Sequence, residues 1–99
     1  MTHEDRSEYF ERITNGEYGE FDRVVNKMSN RRDLHGLLLL EQLDGESTGD
    51  IISSADYEEY WIDVNPDRVF ENATEEQLKD LARCGISYRD EYDCFGANA

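Results

Sequence analysis

Only one stretch of this chain is apolar around its whole circumference, and the fold has to be built on it. Leu34, Leu37, Leu38, Leu40 and Leu43 fall at helical spacing, and Leu39 fills most of the remaining circumference. A helix that is apolar all round is a buried helix. Leu favours helix over strand. The run therefore predicts a buried helix starting at Arg31, with Asn30 as its cap, Asp33 in its first turn and Gly45 as its stop. Gly36 is the anomaly, because glycine inside a helix costs about 1 kcal/mol against Ala.

Shorter signals organise the remainder. Tyr9, Phe10 and Ile13 share one side of residues 5–14, a short amphipathic helix that Asn15-Gly16 ends. Tyr18, Phe21, Val25 and Met28 follow at spacings of three, four and three and predict a second helix, ended by Ser29-Asn30. Tyr60, Ile62 and Val64 alternate with Glu59, Trp61 and Asp63, the pattern of a strand with one wet face. Asn65-Pro66 opens a turn or two of helix through Phe70. Thr74-Glu75-Glu76-Gln77 is a capping box, opening a helix that turns Leu78, Leu81 and Ala82 inward and closes at Gly85. Gly85 to Phe95 reads as a hairpin turning at Arg89 to Glu91.

This inventory is α+β: three N-terminal helices, a strand, a helix and a C-terminal β-hairpin. The simplest packing is a small antiparallel sheet with helices on one face, in a single domain over residues 1–99. The expected core is Phe10, Ile13, Phe21, Val25, Leu37, Leu38, Leu40, Ile62, Val64, Leu78, Leu81 and Ile86.

Composition then removes whole classes of function. Acidic residues outnumber basic ones 24 to 10, a formal net charge of −14. A protein that grips nucleic acid directly needs a basic surface, and one that docks on anionic lipid needs clustered Lys or Arg. Neither fits. The first six residues hold no apolar run, so no signal peptide is expected, and Leu37 to Leu40 is too short to span a bilayer. Cys84 and Cys94 lack metal-ligand spacing and are too few for a disulfide scaffold, which predicts reduced, inert thiols in a cytoplasmic protein. Thr74 of the sequon Asn72-Ala73-Thr74 is better used as a helix cap than as part of a glycosylation site.

Catalytic signals are weak. His3 lies in the terminal segment and His35 in the apolar helix, where a packed, hydrogen-bonded histidine is the ordinary explanation. No nucleophile elbow, phosphate-cradling glycine loop or zinc-protease motif occurs. No catalytic residue is assigned, and binding rather than catalysis is the expectation. The loop from Asp44 to Ile51 carries oxygens at positions 1, 3 and 5, Gly49 at position 6 and Ile51 at position 8, as an EF-hand loop does. Its twelfth position is Ala55 where a bidentate Glu belongs, so the sequence favours a solvated acidic loop and no metal or other cofactor.

The distribution of charge is more informative than its sum. Residues 1–43 carry a net −3 and residues 44–99 a net −11, and between Asp44 and Asp63 stand seven acids and no base. Surfaces built for solubility mix their signs, and concentrated like charge costs stability by self-repulsion. Along the expected strand, Glu59, Trp61 and Asp63 would stand about 6.6–6.8 Å apart on one face. That is near the spacing of phosphates along a nucleic-acid strand, with a ring between the carboxylates. The expected partner-binding set is Asp44, Glu46, Asp50, Asp56, Glu58, Glu59, Trp61 and Asp63, with Asp90, Glu91 and Asp93 of the hairpin.

In size, charge and layout the chain resembles the nucleic-acid-mimicking inhibitors that phages and mobile elements make against host nucleases, glycosylases and CRISPR effectors. The resemblance implies a basic, nucleic-acid-binding partner (a nuclease, polymerase or CRISPR-type effector) and a monomer or weak dimer. Two other readings stand beside it. One is a protein–protein interaction module anchored by Tyr57, Tyr60 and Trp61 with the acids as a rim. The other is halophilic solvation, suggested by two Lys against eight Arg.

Overall fold

The computed structural model describes residues 2–56 and 58–98. Its elements are α1 (His3–Thr14), a 3-10 turn (Phe21–Arg23), α2 (Arg32–Asp44), β1 (Ile52–Ala55), β2 (Glu59–Ile62), α3 (Pro66–Asn72), α4 (Glu75–Arg83), β3 (Ile86–Arg89) and β4 (Cys94–Asn98). The strands form one antiparallel sheet in the order β1-β2-β4-β3. The architecture is α+β, with the helices gathered on one face of that sheet.

The local signals act as their chemistry dictates. Thr74 Oγ1 accepts from the Gln77 N–H at 3.1 Å while the Gln77 side chain accepts from the Thr74 N–H at 2.9 Å, closing both halves of the capping box on α4. The Asn65 side chain accepts from the Asp67 N–H at 2.9 Å and Pro66 opens α3. Gly45 ends α2 in the left-handed region at φ 77°, where a β-carbon would be strained. Thr2 and Asp5 form a second capping box that starts α1 two residues before the expected boundary.

Strand alternation divides the sheet into two unlike faces. Ile62 of β2, Phe95 and Ala97 of β4, and Ile86 and Tyr88 of β3 point inward and are buried. They meet Leu39, Leu40 and Leu43 of α2, Val69 of α3, Leu78 and Leu81 of α4, and Phe10 of α1 in one continuous core. Phe95 sits among three rings, with Phe10, Phe70 and Tyr88 centroids 6.1, 5.6 and 5.6 Å away. Gly36 explains itself here. A β-carbon on it would stand 2.5 Å from Ile86 Cδ1 and 3.0 Å from Cys84 Cβ, so glycine lets α2 lie directly on that part of the core.

Five expectations are corrected. The middle N-terminal helix is only the 3-10 turn at Phe21–Arg23. Gly16, Gly19 and Asn26 all take positive φ around it, and Val24-Val25 is a β-branched pair, so the segment spends its helical spacing in turns. Val25 consequently lies 74 % exposed, outside the core, and Val24 takes the buried place. Asn30 does not cap α2; Arg31 holds the cap position without a side-chain bond, and the Asp33 carboxylate accepts from the Leu34 N–H. β1 was not expected at all, because Ile-Ser-Ser-Ala has no alternation to announce it; pairing with β2 makes it a strand. The hairpin turn also sits later, on residues 90–93, with Asp93 at φ 47°.

Among the described residues no helix is long and apolar enough to cross a membrane.

Candidate functional site

The uncovered face of the sheet is where exposed chemistry collects. Ile62 points into the core, so its neighbour Trp61 points out, onto a shallow groove shared with Ser53, Ser54, Tyr92 and Cys94. The groove is about 440 Å³ in volume. Tyr92, 66 % exposed in the hairpin turn, stands edge-on to Trp61 with ring centroids 6.2 Å apart and planes at 88°. This is the edge-to-face arrangement that ring quadrupoles favour over a face-to-face sandwich. Ser53 and Trp61 are tied further by the Ser53 hydroxyl donating to the Trp61 carbonyl at 3.3 Å.

Next to the groove, Arg89 lies flat across Gly96 to reach Glu59. Its Nη1 donates to Glu59 Oε2 at 2.8 Å, its Nε donates to Ser87 Oγ at 3.0 Å, and its carbons pass within 3.7 Å of where a Gly96 β-carbon would be. Arg89 is thereby neutralised on this face by Glu59.

The acids expected to form a continuous surface separate into groups. Asp56 and Glu58 are exposed in the β1–β2 turn, at one end of the bare face. Asp63 is exposed just past the other end of β2, and Asp90 and Glu91 sit in the β3–β4 turn at that same end. The register places Asp63 one strand from the β4 leg of that turn and two from the β3 leg, about 5 and 10 Å by the usual interstrand spacing. The expected column of Glu59, Trp61 and Asp63 therefore holds for its first two members. Asp63, beyond the strand, instead lines a small crevice with Glu41, Asp44 and Asp50.

Two members of the expected set turn inward. Asp44 is buried, with Oδ1 accepting from Arg68 Nη1 at 2.8 Å, because the last turn of α2 faces α3. Asp93 accepts from the Tyr88 hydroxyl at 2.6 Å and from Arg6 Nη1 at 3.2 Å, and pairs with His3 at 3.3 Å. Burial and then this Asp93 hydrogen bond push the Tyr88 phenol up to about 12. Both carboxylates hold elements together rather than facing a partner. Glu46 is exposed but leans on Arg68 at 3.4 Å. Tyr60 packs half-buried against the core, and Tyr57 lies outside the described residues.

Sequence reading missed three features. Tyr92, Ser53, Ser54 and Cys94 join Trp61 only because the register brings them there. Arg83, nearly buried, is gripped by Glu17 at 3.0 Å, Glu76 at 2.7 Å and Asp80 at 2.8 Å; burial opposes its charge, but these bonds outweigh it and raise its pKa. That network pins the loop after α1 to α4. Finally, four of the ten bases, Arg23, Lys27, Arg31 and Arg32, fall within ten residues beside the exposed Val25, Met28 and Leu34.

Cys84 is buried, which pushes its thiol up to about 12, whereas Cys94 is half-buried at the groove, its thiol raised by desolvation. His35 is buried likewise, its Nδ1 accepting from the Met28 N–H at 3.1 Å. Compared with known proteins, the chain matches no family model, no curated protein and no solved structure. Its chemistry must be read from the face itself: ring surfaces for stacking or for a guanidinium, and carboxylates for cationic side chains.

Proposed function

We propose that this is a cytoplasmic binding protein that inhibits a basic, nucleic-acid-binding partner by occupying the groove where DNA or RNA would lie. The partner belongs to the class of nucleases, polymerases or CRISPR-type effectors, as in phage anti-defence. The observation that carries this reading is the bare sheet face. It exposes a Trp61–Tyr92 ring pair between two acidic ends, Asp56 and Glu58 at one and Asp63, Asp90 and Glu91 at the other, and Arg89, which lies across it, is spent on Glu59. A groove lined with Lys and Arg and built for stacked bases is complementary to both features. Long-range attraction from a net −14 steers the encounter, and the rings supply the short-range anchor that charge lacks.

A second reading is a protein–protein interaction module without mimicry, favoured by the exposed Val25, Met28 and Leu34 beside Arg31 and Arg32. The test that separates them is recovery of partners from the native host lysate, followed by competition. A nuclease, polymerase or other nucleic-acid enzyme released by added DNA supports mimicry. A partner that holds this protein and DNA together, or that has no basic groove, refutes it.

A further inference from the structure

The ring-bearing groove selects its occupant by shape and by charge. Trp61 and Tyr92 stand with planes at 88° and centroids 6.2 Å apart, so an indole face and a phenol face bound a corner. Ser53 and Ser54 line its other side. Both reach it because of a bulge in β1: the register pairs Ile52 with Ile62 and then Ser54 with Trp61, which leaves Ser53 as the extra residue. The Ser53 hydroxyl donates to the Trp61 carbonyl at 3.3 Å, so its oxygen is left to accept.

We propose that this corner receives an arginine side chain of a protein partner, followed two residues along the same extended segment by a second basic side chain. This deepens the partner-binding reading above and rests on it. Aromatic faces attract a cation, Trp most strongly, and a planar guanidinium stacks on an indole while its N–H edges still reach hydroxyl oxygens. The compact, strongly hydrated ammonium of lysine has no plane to lay on a ring. A nucleobase could stack on the same rings, but its phosphates would meet the acids beside them.

The charge beside the groove sets the sign of the occupant. Tyr92 also lines a neighbouring crevice of about 360 Å³, whose walls include Glu11, Glu59, Asp90, Glu91 and Arg89. Arg89 is matched by Glu59 at 2.8 Å, which leaves Glu11, Asp90 and Glu91 in excess. Tyr92 is thus shared between an aromatic depression and an acidic one. Alternate side chains of an extended segment stand about 6.6–6.8 Å apart on one face, enough to straddle a ring. A segment with basic residues two apart therefore lays its first guanidinium on Trp61 and sets its second cation among those three carboxylates.

Trp61 is the single tryptophan of the chain, so its fluorescence reports the groove directly. The test titrates the intact protein, in about 150 mM KCl, with the end-blocked peptide Gly-Arg-Thr-Arg-Gly. Parallel titrations use versions with lysine or neutral citrulline at both arginines, and a thymidine pentanucleotide. The arginine peptide should saturate with Kd on the order of 10⁻⁴–10⁻³ M, because one cation–π contact and exposed ion pairs are each weak. Lysine should bind at least about threefold more weakly, and citrulline and the pentanucleotide should give no saturable change. Tyr92→Ala, at an exposed position that keeps the fluorophore, should weaken the arginine peptide at least about fivefold. Asp90→Asn with Glu91→Gln should remove its advantage over a peptide carrying citrulline at the second arginine alone. Glu20→Gln with Asp22→Asn, an equal loss of charge at exposed positions by the 3-10 turn, should change binding by less than about twofold. Lysine, citrulline or the pentanucleotide binding as tightly as arginine, or Tyr92→Ala binding like the parent, would overturn the arginine site. So would the absence of any saturable response. Such a failure is distinct from a failure of mimicry: a partner still released by DNA would keep mimicry without this contact, whereas arginine binding beside a partner that tolerates DNA would keep the contact without mimicry.

Discussion

Replacing Gly36 by Ala sets helix propensity against packing, and the structure decides which wins. On propensity alone Ala stabilises a helix interior by about 1 kcal/mol. The added β-carbon, however, would stand 2.5 Å from Ile86 Cδ1 and 3.0 Å from Cys84 Cβ. Ile86 is 0 % exposed and Cys84 4 %, so the Ile86 methyl has only filled space to swing into, and the Cys84 β-carbon moves only with its backbone. Overpacking of this kind costs about 1–3 kcal/mol. Two contacts inside a sealed core put the cost at the upper end, leaving a net loss of about 2 kcal/mol after the propensity gain. For a chain of this length that lowers Tm by roughly 8–16 °C. The mechanism makes a sharper demand on a second variant. Ile86→Val removes the clashing Cδ1 and alone costs about 0.5–1.5 kcal/mol. In the Gly36→Ala background the new methyl fills that space, so the double variant should be more stable than additivity gives by at least about 1 kcal/mol. Urea titrations of the four proteins measure this. A Gly36→Ala protein that melts higher than the parent, or strict additivity in the cycle, would refute the packing argument.

Three further outcomes follow from the same contacts. Burial holds the His35 imidazole below its ordinary pKa, so the unfolded chain takes up that proton first and stability falls as pH drops below about 6.5; urea melts at about pH 7.5 and about pH 5.5 should show the loss, and His35→Gln should flatten it. Thr74→Ala removes the side chain that accepts from the Gln77 N–H and should cost about 1 kcal/mol in a thermal melt. Against the proposed partner, a combined Asp63→Asn, Asp90→Asn and Glu91→Gln variant should slow association and flatten its salt dependence, whereas Trp61→Ala should mainly speed dissociation; a module without mimicry would leave association untouched by the charge changes.

What the chain declared in advance was local chemistry. Capping boxes, a proline at a helix start and a glycine stop are read within four residues, and those at α4, α3 and α2 act as written. What it concealed depended on competition between signals. The spacing of Tyr18, Phe21, Val25 and Met28 is helical, but Gly16 and Gly19 break the segment on one side and Asn26 on the other, leaving one 3-10 turn. Ile52 to Ala55 carries no strand pattern and becomes a strand only because β2 offers it an edge. Gly36 looked like a defect from sequence, and only the position of Ile86 shows it to be a condition of close packing.

The acidic segment illustrates why a site is harder to read than a fold. Along the sequence, Asp44 to Asp63 is one unbroken acidic stretch, and continuity suggested one surface. In three dimensions the hairpin folds that stretch back on itself, with Asp56 and Glu58 at one end of the sheet and Asp63 at the other. Asp44 is drawn inward by Arg68 from a helix 24 residues away, a partner no local pattern announces. The gain runs the other way at Tyr92 and Cys94, which are remote in sequence from Trp61 and adjacent to it once β4 pairs with β2. Charge count survives this redistribution, because a net −14 acts over the whole molecule at long range. Charge position does not. At physiological salt, screening sets in over about 8 Å, so a partner in contact feels the carboxylates it touches and little of the rest. On the proposed reading, the residues that discriminate among basic partners are those rimming the Trp61–Tyr92 groove, whereas Asp44 and Glu46, paired with Arg68, belong to the protein's own architecture.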